Sequence, residues 1–266
     1  MDARSSGARR GVRGNGGSRV RIAVFSDMHG NNVGLEAVLA DLAHESITQL
    51  VCLGDAVQGG PQPAEVVARL RVLGCPVVMG NADDWLLSGV DTGAEPIDAE
   101  RRRTLDDVRA WTLSRLSADD QAYIAAFQPT VTLPLDGERN LLAFHGSPHS
   151  YDDIILPTTP EAEVQRMLGG FAPHILAGGH THVQQIRHLG DAFYFGCGSA
   201  GFAYRHNQPA GAFRADPWAE YAVLTAADGR LGLELRRVPF DVDALLAAYR
   251  ASGRPHAAEA IAQYTR

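Results

Sequence analysis

The sequence predicts an α/β fold built from parallel β-α-β units, and three features of the chain support this. Short apolar runs rich in β-branched residues alternate with helix-length segments between residues 20 and 79. Each run ends in a polar or glycine-rich segment, namely 26–31, 54–61 and 80–83. Because open α/β sheets bind ligands at the carboxyl ends of their strands, we expect these three segments to meet at one edge.

Length and composition are those of a soluble globular protein. The 266 residues include 45% apolar side chains, enough for one large α/β domain or two small ones. No apolar run approaches the roughly 20 residues of a membrane span, and we find no signal peptide. The three cysteines lie far apart without Cys-x-x-Cys spacing, so we expect reduced thiols and a cytoplasmic location.

The charge of the chain is unevenly distributed. Residues 1–18 hold four arginines, one aspartate and few apolar side chains, so we expect a disordered tail, with a nucleic-acid-binding arm as the alternative. The whole chain carries −7, of which the tail contributes +3, so the remainder carries −10. An acidic body repels nucleic-acid phosphates, and we therefore expect neither sequence-specific nucleic-acid binding nor a membrane partner. Nothing in the sequence indicates an oligomeric state.

The first half of the chain predicts three strands and two helices, followed by a helical insertion. The strands are expected at 20–25, 49–53 and 76–79, the helices at 33–43 and 63–72, and the insertion or lid at about 96–127. Asn31 or Asn32 caps the first helix, and Pro63 begins the second. The arginines at 101–103 could bind phosphate, but such a charged run is more often a solvated helix face.

The second half of the chain is richer in strands. A hairpin is expected around Asp136-Gly137. The two strands of this hairpin are expected at 131–135 and 140–144, and a helix follows at 160–168. Five further strands are expected at 174–177, 183–187, 193–196, 220–224 and 231–238. The chain then continues with two helices, at 242–251 and 255–264. We expect the last four strands to complete a second, largely antiparallel group, and the final helices to serve as packing elements.

Seven side chains with metal-binding atoms follow the predicted strand ends. They are Asp27, His29, Asp55, Asn81, His145, His180 and His182. Each alone could be a turn residue, a helix cap or an ordinary histidine. Together, hard oxygen atoms and imidazole nitrogens suit manganese, iron, cobalt, nickel or zinc better than calcium.

The order and spacing of these residues resemble the five motifs of the calcineurin-like metallophosphoesterases. The motifs are Asp27-x-His29, Gly54-Asp55, Gly80-Asn81, His145-Gly146 and Gly179-His180-Thr181-His182, and the likeness is strongest to the small bacterial phosphoesterases. This resemblance implies a four-layer α/β/β/α sandwich of two mixed sheets over residues 19–240. Residues 241–266 would pack on this domain as helices.

The resemblance also implies a binuclear metal centre, with manganese the first expectation and iron, nickel, cobalt or zinc as alternatives. One ion would be held by Asp27, His29, Asp55 and His182, and the other by Asp55, Asn81, His145 and His180. Asp55, Asn81 and His145 would be catalytic, and a metal-bridging hydroxide would hydrolyse a phosphodiester, phosphoanhydride or activated phosphomonoester bond. The implied substrate is a small phosphorylated molecule or a nucleotide.

One position departs from the family pattern. In many relatives a histidine that assists the leaving group follows the Gly-Asn motif, but this chain has Ala82, which leaves Asp83 to cap the next helix. The retromer scaffold subunit of this fold lacks the same histidine, so a second hypothesis is a weakly catalytic or non-catalytic metal-binding scaffold for protein contacts. Retention of all seven ligands favours the enzyme.

Three further residues are weaker candidates for contact with substrate. His149 and His206 lie near motif loops, and Arg205 follows in a loop where an arginine could contact phosphate. For Arg205 the competing interpretation is simple solvation at the surface.

Overall fold

The computed structural model describes residues 19–90, 92, 97–137, 139–171, 175–190, 192–209 and 212–265. The tail at 1–18, the expected start of the insertion at Pro96 and the expected strand residue His174 lie outside the described residues.

Nine strands and eight helices are described, and most lie within two residues of their predicted bounds. The strands are β1 (Val20–Phe25), β2 (Gln49–Cys52), β3 (Val131–Asp136), β4 (Arg139–Ala143), β5 (Ile175–Gly178), β6 (Gln184–Leu189), β7 (Ala192–Cys197), β8 (Trp218–Ala227) and β9 (Arg230–Pro239). The helices are α1 (Asn32–Leu42), α2 (Pro63–Leu73), α3 (Asn81–Ser88), α4 (Ala99–Arg115), α5 (Ala118–Ala125), α6 (Glu161–Leu168), α7 (Val242–Ser252) and α8 (Ala257–Ala262). None of the described helices has the length and apolar character needed to cross a membrane.

The first sheet has the strand order β2-β1-β8-β9. β1 runs parallel to β2, with Phe25 opposite Cys52, and antiparallel to β8 on its other side. The expectation that β8 and β9 belong to the second group of strands is therefore wrong. Their long hairpin instead covers the free edge of β1, which satisfies the backbone groups of a strand that is buried on both faces.

The second sheet has the order β3-β4-β5-β7-β6. The hairpin β3-β4 and the pair β6-β7 are antiparallel, whereas β4, β5 and β7 run parallel to one another. The sheet is thus mixed rather than largely antiparallel, and the carboxyl ends of β4 and β5 point to the same edge.

The two sheets pack face to face, and helices cover both outer faces. Along β1, Ile22 and Val24 point into the core between the sheets, while Ala23 and Phe25 point to the core under α1 and α2. This alternation follows from the period of two in a strand. Val164 and its neighbours in α6 cover the outer face of the second sheet. The four-layer sandwich is confirmed.

The expected third strand is reduced to two isolated bridges. Val77 pairs with Cys52 on one side and Val78 pairs with Gln128 on the other, both in parallel orientation. The segment still brings Gly80 beside Gly54, because a Cβ atom added at Gly54 would lie 2.5 Å from the Gly80 nitrogen. Glycine at these positions lets the two loops approach closely.

Candidate metal centre

All seven predicted ligands converge at the carboxyl edges of the two sheets. β1 leads into Asp27 and His29, β2 into Asp55, β4 into His145, and β5 into His180 and His182, while Asn81 begins α3. Their donor atoms fall into two groups. Asp27, His29 and His182 form one, and Asp55, His145 and His180 form the other.

In the first group, donor atoms crowd around one point. Nε2 of His29 lies 3.1 Å from Nε2 of His182, and Nε2 of His182 lies 3.2 Å from Oδ1 of Asp27. That carboxylate oxygen is buried and makes no hydrogen bond, although its partner Oδ2 accepts one from the His180 amide at 3.1 Å. Two imidazole nitrogens and an unsatisfied carboxylate oxygen at these distances fit a shared divalent cation.

In the second group, the His145 ring is the central contact. Its Nε2 lies 3.4 Å from Oδ2 of Asp55 and 3.0 Å from Oδ1 of Asn81, and its ring centroid is 5.1 Å from that of His180. Asn81 therefore joins this group even though it is an amide. Two oxygen and two nitrogen donors again suit a transition metal ion.

Asp55 lies between the two groups. Its Oδ2 atom is 3.7 Å from Nε2 of His29 and 3.4 Å from Nε2 of His145. Its Oδ1 atom accepts a hydrogen bond from the Ala82 amide at 2.8 Å, which fixes the carboxylate plane. A single buried carboxylate is thus placed where it can serve both groups.

Backbone carbonyls orient three of the four histidines. The pairs are His29 Nδ1 with Gln58 O at 2.9 Å, His145 Nδ1 with Leu53 O at 2.8 Å, and His182 Nδ1 with Phe202 O at 2.6 Å. Because a carbonyl oxygen only accepts, each Nδ1 carries a proton, and Nε2 is the atom that each ring directs to the centre and would offer to a metal ion once it is deprotonated. The sequence analysis missed these partners, since backbone carbonyls leave no trace in residue identity.

Five of the seven ligand candidates have a left-handed backbone. Their φ angles are 56° at Asp27, 46° at His29, 50° at Asp55, 66° at His180 and 55° at His182. This conformation costs on the order of 1–3 kcal/mol per residue other than glycine, although Asp and His adopt it more readily than most. The surrounding hydrogen bonds must hold these loops in place, which indicates that aiming the side chains is their role.

The charges of the centre are strongly coupled. Burial would raise the pKa of Asp27 and of Asp55, but the positive charges of His182 and His145 outweigh it and lower the pKa of both carboxyls. Burial opposes the charge of His145, yet the Asp55 carboxylate raises the pKa of His145 to about 10. Both carboxylates are therefore ionised at neutral pH, as metal ligands must be.

Comparison with known proteins gives the family. Residues 20–217 match the model of the calcineurin-like phosphoesterase superfamily domain. The chain belongs to this superfamily.

Two solved structures show the same phosphoesterase fold. A metallophosphoesterase from Sphaerobacter thermophilus is 24% identical, with a TM-score of 0.66, over 92% of this chain and 98% of that one. A hypothetical protein from Pyrococcus horikoshii OT3 is 20% identical, with a TM-score of 0.68, over 91% of this chain and 96% of that one.

A sequence relative, an uncharacterized protein from Methanocaldococcus jannaschii, is 43% identical over 77 residues, which cover 29% of this chain and 30% of that relative. The alignment thus spans less than a third of this curated relative.

The candidate metal centre opens into a cleft of about 490 Å³. The residues of the centre that line this cleft are His29, Asp55, Asn81, His180 and His182. The helix α4 forms one wall, and the end of α7 together with α8 forms another. The C-terminal helices pack against the core through Leu245, Tyr249 and Ala260, and they also contribute residues to this cleft.

Ala82 lines the cleft beside the centre, whereas Asp83 is fully buried below it. The Asp83 carboxylate accepts hydrogen bonds from the amides of Ala56 at 2.9 Å and Gly80 at 3.3 Å. Burial and the nearby Asp55 carboxylate raise the pKa of Asp83 to about 7. As expected, Asp83 caps α3, and it also ties together the two loops that carry Asp55 and Asn81.

The three weaker substrate candidates lie outside the cleft lining. His149 is exposed and packs against Phe171, with ring centroids 5.2 Å apart. His206 donates from Nε2 to the Thr181 carbonyl at 2.6 Å and so supports the histidine loop from outside. Arg205 is exposed, and its charge lowers the pKa of Asp216, against the larger effect of burial.

The cleft is lined instead by residues that the sequence analysis did not single out or regarded as solvated. They are chiefly Trp85, Arg101, Arg102, Phe202, Tyr204, Tyr249 and Arg254. The run of three arginines at 101–103 was the sequence signal that could have indicated part of this lining. The structure distinguishes the three arginines by position, because Arg101 and Arg102 line the cleft and Arg103 does not, although Arg101 and Arg103 are both exposed to solvent.

Proposed function

We propose that this chain is a phosphoesterase that depends on two divalent metal ions and hydrolyses phosphodiester, phosphoanhydride or activated phosphomonoester bonds. The observation that supports this most directly is the position of the Asp55 carboxylate, with one oxygen within 3.7 Å of a histidine of each donor group. A shared anion is what two neighbouring cations require, because they otherwise repel one another.

The donor groups suggest how the ions would be held. Asp27, His29, Asp55 and His182 would hold one ion, and Asp55, Asn81, His145 and His180 would hold the other. Manganese is the first candidate, and iron, nickel, cobalt and zinc also suit this mixture of oxygen and nitrogen donors. Bound there, such ions would supply Lewis acidity toward phosphoryl oxygens and lower the pKa of water.

The residues of the chain itself provide a rigid frame. The amide of Ala82 fixes Asp55, and the Leu53 carbonyl fixes the His145 ring. Asp83 links the loops of Asp55 and Asn81 through its two backbone hydrogen bonds. Such preorganisation reduces the reorganisation that a reaction would otherwise require.

The decisive experiment combines metal analysis with turnover. Metal-depleted full chain is titrated with each of the five metals, and the stoichiometry is measured together with hydrolysis of a panel of phosphodiesters, phosphoanhydrides and phosphomonoesters. We expect two ions per chain and hydrolysis that requires them. The matched variants are Asp55→Asn and Asp228→Asn, because Asp228 is also an aspartate with a left-handed backbone, at φ 51°, but lies in the β8-β9 turn.

The outcomes separate the two hypotheses. Loss of turnover in Asp55→Asn with native behaviour in Asp228→Asn would support the enzyme. Binding of two ions without turnover of any ester would instead favour a metal-binding scaffold. Failure to bind any of the metals would contradict both.

A further inference from the structure

The cleft carries positive charge from arginines that do not belong to the donor groups of the metal centre. Arg101 comes from the first turn of α4, and Arg254 from the connection between α7 and α8. Both line the same cleft, and the charge of Arg101 lowers the pKa of Arg254 in addition to the larger effect of burial. Two elements far apart in sequence therefore direct two guanidinium groups into one region.

Arg254 is held firmly beside the centre. Its Nε donates to the Gly59 carbonyl at 2.6 Å, its Nη1 donates to the Pro255 carbonyl at 2.8 Å, and its guanidinium lies 5.7 Å from the centroid of the Tyr249 ring. The next carbonyl in the Gly59 loop, that of Gln58, accepts from Nδ1 of His29. The guanidinium is thus attached to the loop that orients a ligand candidate, and three of its five N–H groups are not used in these bonds.

Neither arginine is neutralised by an ion pair within the described parts of the chain. No carboxylate lies within 4.0 Å of either guanidinium there. The Glu259 carboxylate, which lines the cleft, lies 3.5 Å from Nδ1 of His256. The Asp107 carboxylate lies 3.0 Å from Nε2 of the same ring. The charge of Glu259 still acts on Arg254 and raises its pKa, but it forms no ion pair with the guanidinium. In a body of net charge −10, arginines that make no direct ion pair in a cleft are suited to an anionic ligand.

We infer that Arg101 and Arg254 bind a second anionic group of the substrate while the scissile phosphoryl group lies at the metal centre. This inference rests on the proposed function and specifies its substrate class, namely phosphoesters that carry a further phosphoryl group. Arginine suits this role because its planar fork of donors matches the oxygens of a phosphate. The cleft volume of about 490 Å³ has room for a nucleotide-sized molecule between the two anionic groups.

The test uses two chromogenic substrates that differ only in the second phosphate. They are thymidine 5′-(4-nitrophenyl phosphate) and its 3′-phosphorylated derivative, whose leaving group is the same. We expect the metal-loaded native chain to favour the 3′-phosphorylated substrate at least tenfold in kcat/KM, mostly through KM. Arg101→Gln and Arg254→Gln are expected to remove this preference, and Arg103→Gln, at a position of the same helix that does not line the cleft, is expected to keep it.

Arg101→Gln is the sharper variant, because Arg254 also holds the Gly59 loop and its loss could slow both substrates. Equal kcat/KM values for the two substrates with the native chain would overturn the inference. A preference that survives in Arg101→Gln and Arg254→Gln would overturn it as well.

A binding measurement keeps the inference testable without turnover. Calorimetric titration of the Mn²⁺-loaded chain with thymidine 3′,5′-bisphosphate and with thymidine 5′-monophosphate is expected to show at least tenfold tighter binding of the bisphosphate, lost in Arg101→Gln. If neither ester is hydrolysed but this difference persists, the proposed function fails and the arginine site stands. If hydrolysis occurs without the difference, the arginine site fails and the proposed function stands.

Discussion

The cleft lacks a free imidazole at the position where many relatives have one, and this has a measurable consequence. Ala82 presents a methyl group beside the centre. Of the histidines that line the cleft, His29, His180 and His182 belong to the donor groups, and His256 is engaged by two carboxylates. Among the residues that the structure describes, the cleft therefore has no free imidazole to protonate a leaving oxygen, so we predict a rate that depends steeply on the acidity of the leaving group.

The expected size of this effect on the rate follows from the rate enhancement that general acid catalysis provides. Such catalysis typically contributes about 10²–10⁴-fold, which corresponds to roughly 2.7–5.4 kcal/mol in the barrier. The 4-nitrophenolate leaving group departs without a proton, so esters of 4-nitrophenol should lose little rate from the missing general acid. Alkyl esters should show the full reduction in rate. Ala82→His should restore part of that rate, and only for alkyl esters. Each carboxylate oxygen of the buried Asp83 already accepts a bond from an amide, so a new ring at position 82 would need a further lone pair of Asp83 for its orientation.

The assay is a series of phosphodiesters with aryl and alkyl leaving groups, measured at saturating metal and plotted as log kcat/KM against leaving-group pKa. The control for Ala82→His is Ala82→Gln, which adds similar bulk without an acid. A flat plot for the native chain would refute the reasoning. If that flat plot became steep in His256→Asn, then His256 would be the proton donor that this account leaves out.

Three further predictions concern the centre. Asp55→Asn should lower the metal content more than Asp27→Asn, because Asp55 contacts both donor groups; equal losses, measured by elemental analysis, would contradict a shared carboxylate. Gly80→Ala should lower the thermal midpoint and the metal content together, because the added Cβ would overlap the backbone nitrogen and carboxylate of Asp55; native values for both would refute the close approach of the two loops. Metal affinity should rise with pH, since Asp55 and Asp27 raise the pKa of His145 to about 10 and that of His182 above its ordinary value, against burial. Each proton that a metal ion displaces gives about a tenfold change in affinity per pH unit below the raised pKa, and calorimetry in buffers of different ionisation enthalpy would show proton release; a pH-independent affinity would contradict this.

Much of the site could be predicted from the sequence because its signals are local. An apolar run followed by Asp-x-His or Gly-Asp specifies both a buried strand and the polar residues at its end. The ligand candidates after β1, β2, β4 and β5 therefore lie where the pattern placed them. Their order along the chain was also sufficient to indicate the family. The metal ligands, the identity of the ions and the substrate remain predictions.

Other features depend on contacts between distant segments, which local patterns do not encode. β8 and β9 show the alternation of strands in either sheet, and only the uncovered edge of β1 decides that they join the first one. The run at 101–103 indicated a possible phosphate contact, but nothing in the sequence connects Arg101 with Arg254, since their shared cleft arises only when α4 and the C-terminal helices dock on the same side.

The tertiary structure also decided the orientation of the centre. The sequence determined which donor atoms this chain can offer, because side-chain chemistry is written in residue identity. It could not determine that the carbonyls of Leu53, Gln58 and Phe202 would fix the histidine tautomers, or that five loop residues would take a left-handed backbone. Those features belong to the backbone, which is the same for every residue type, so only the packing of the folded chain sets them.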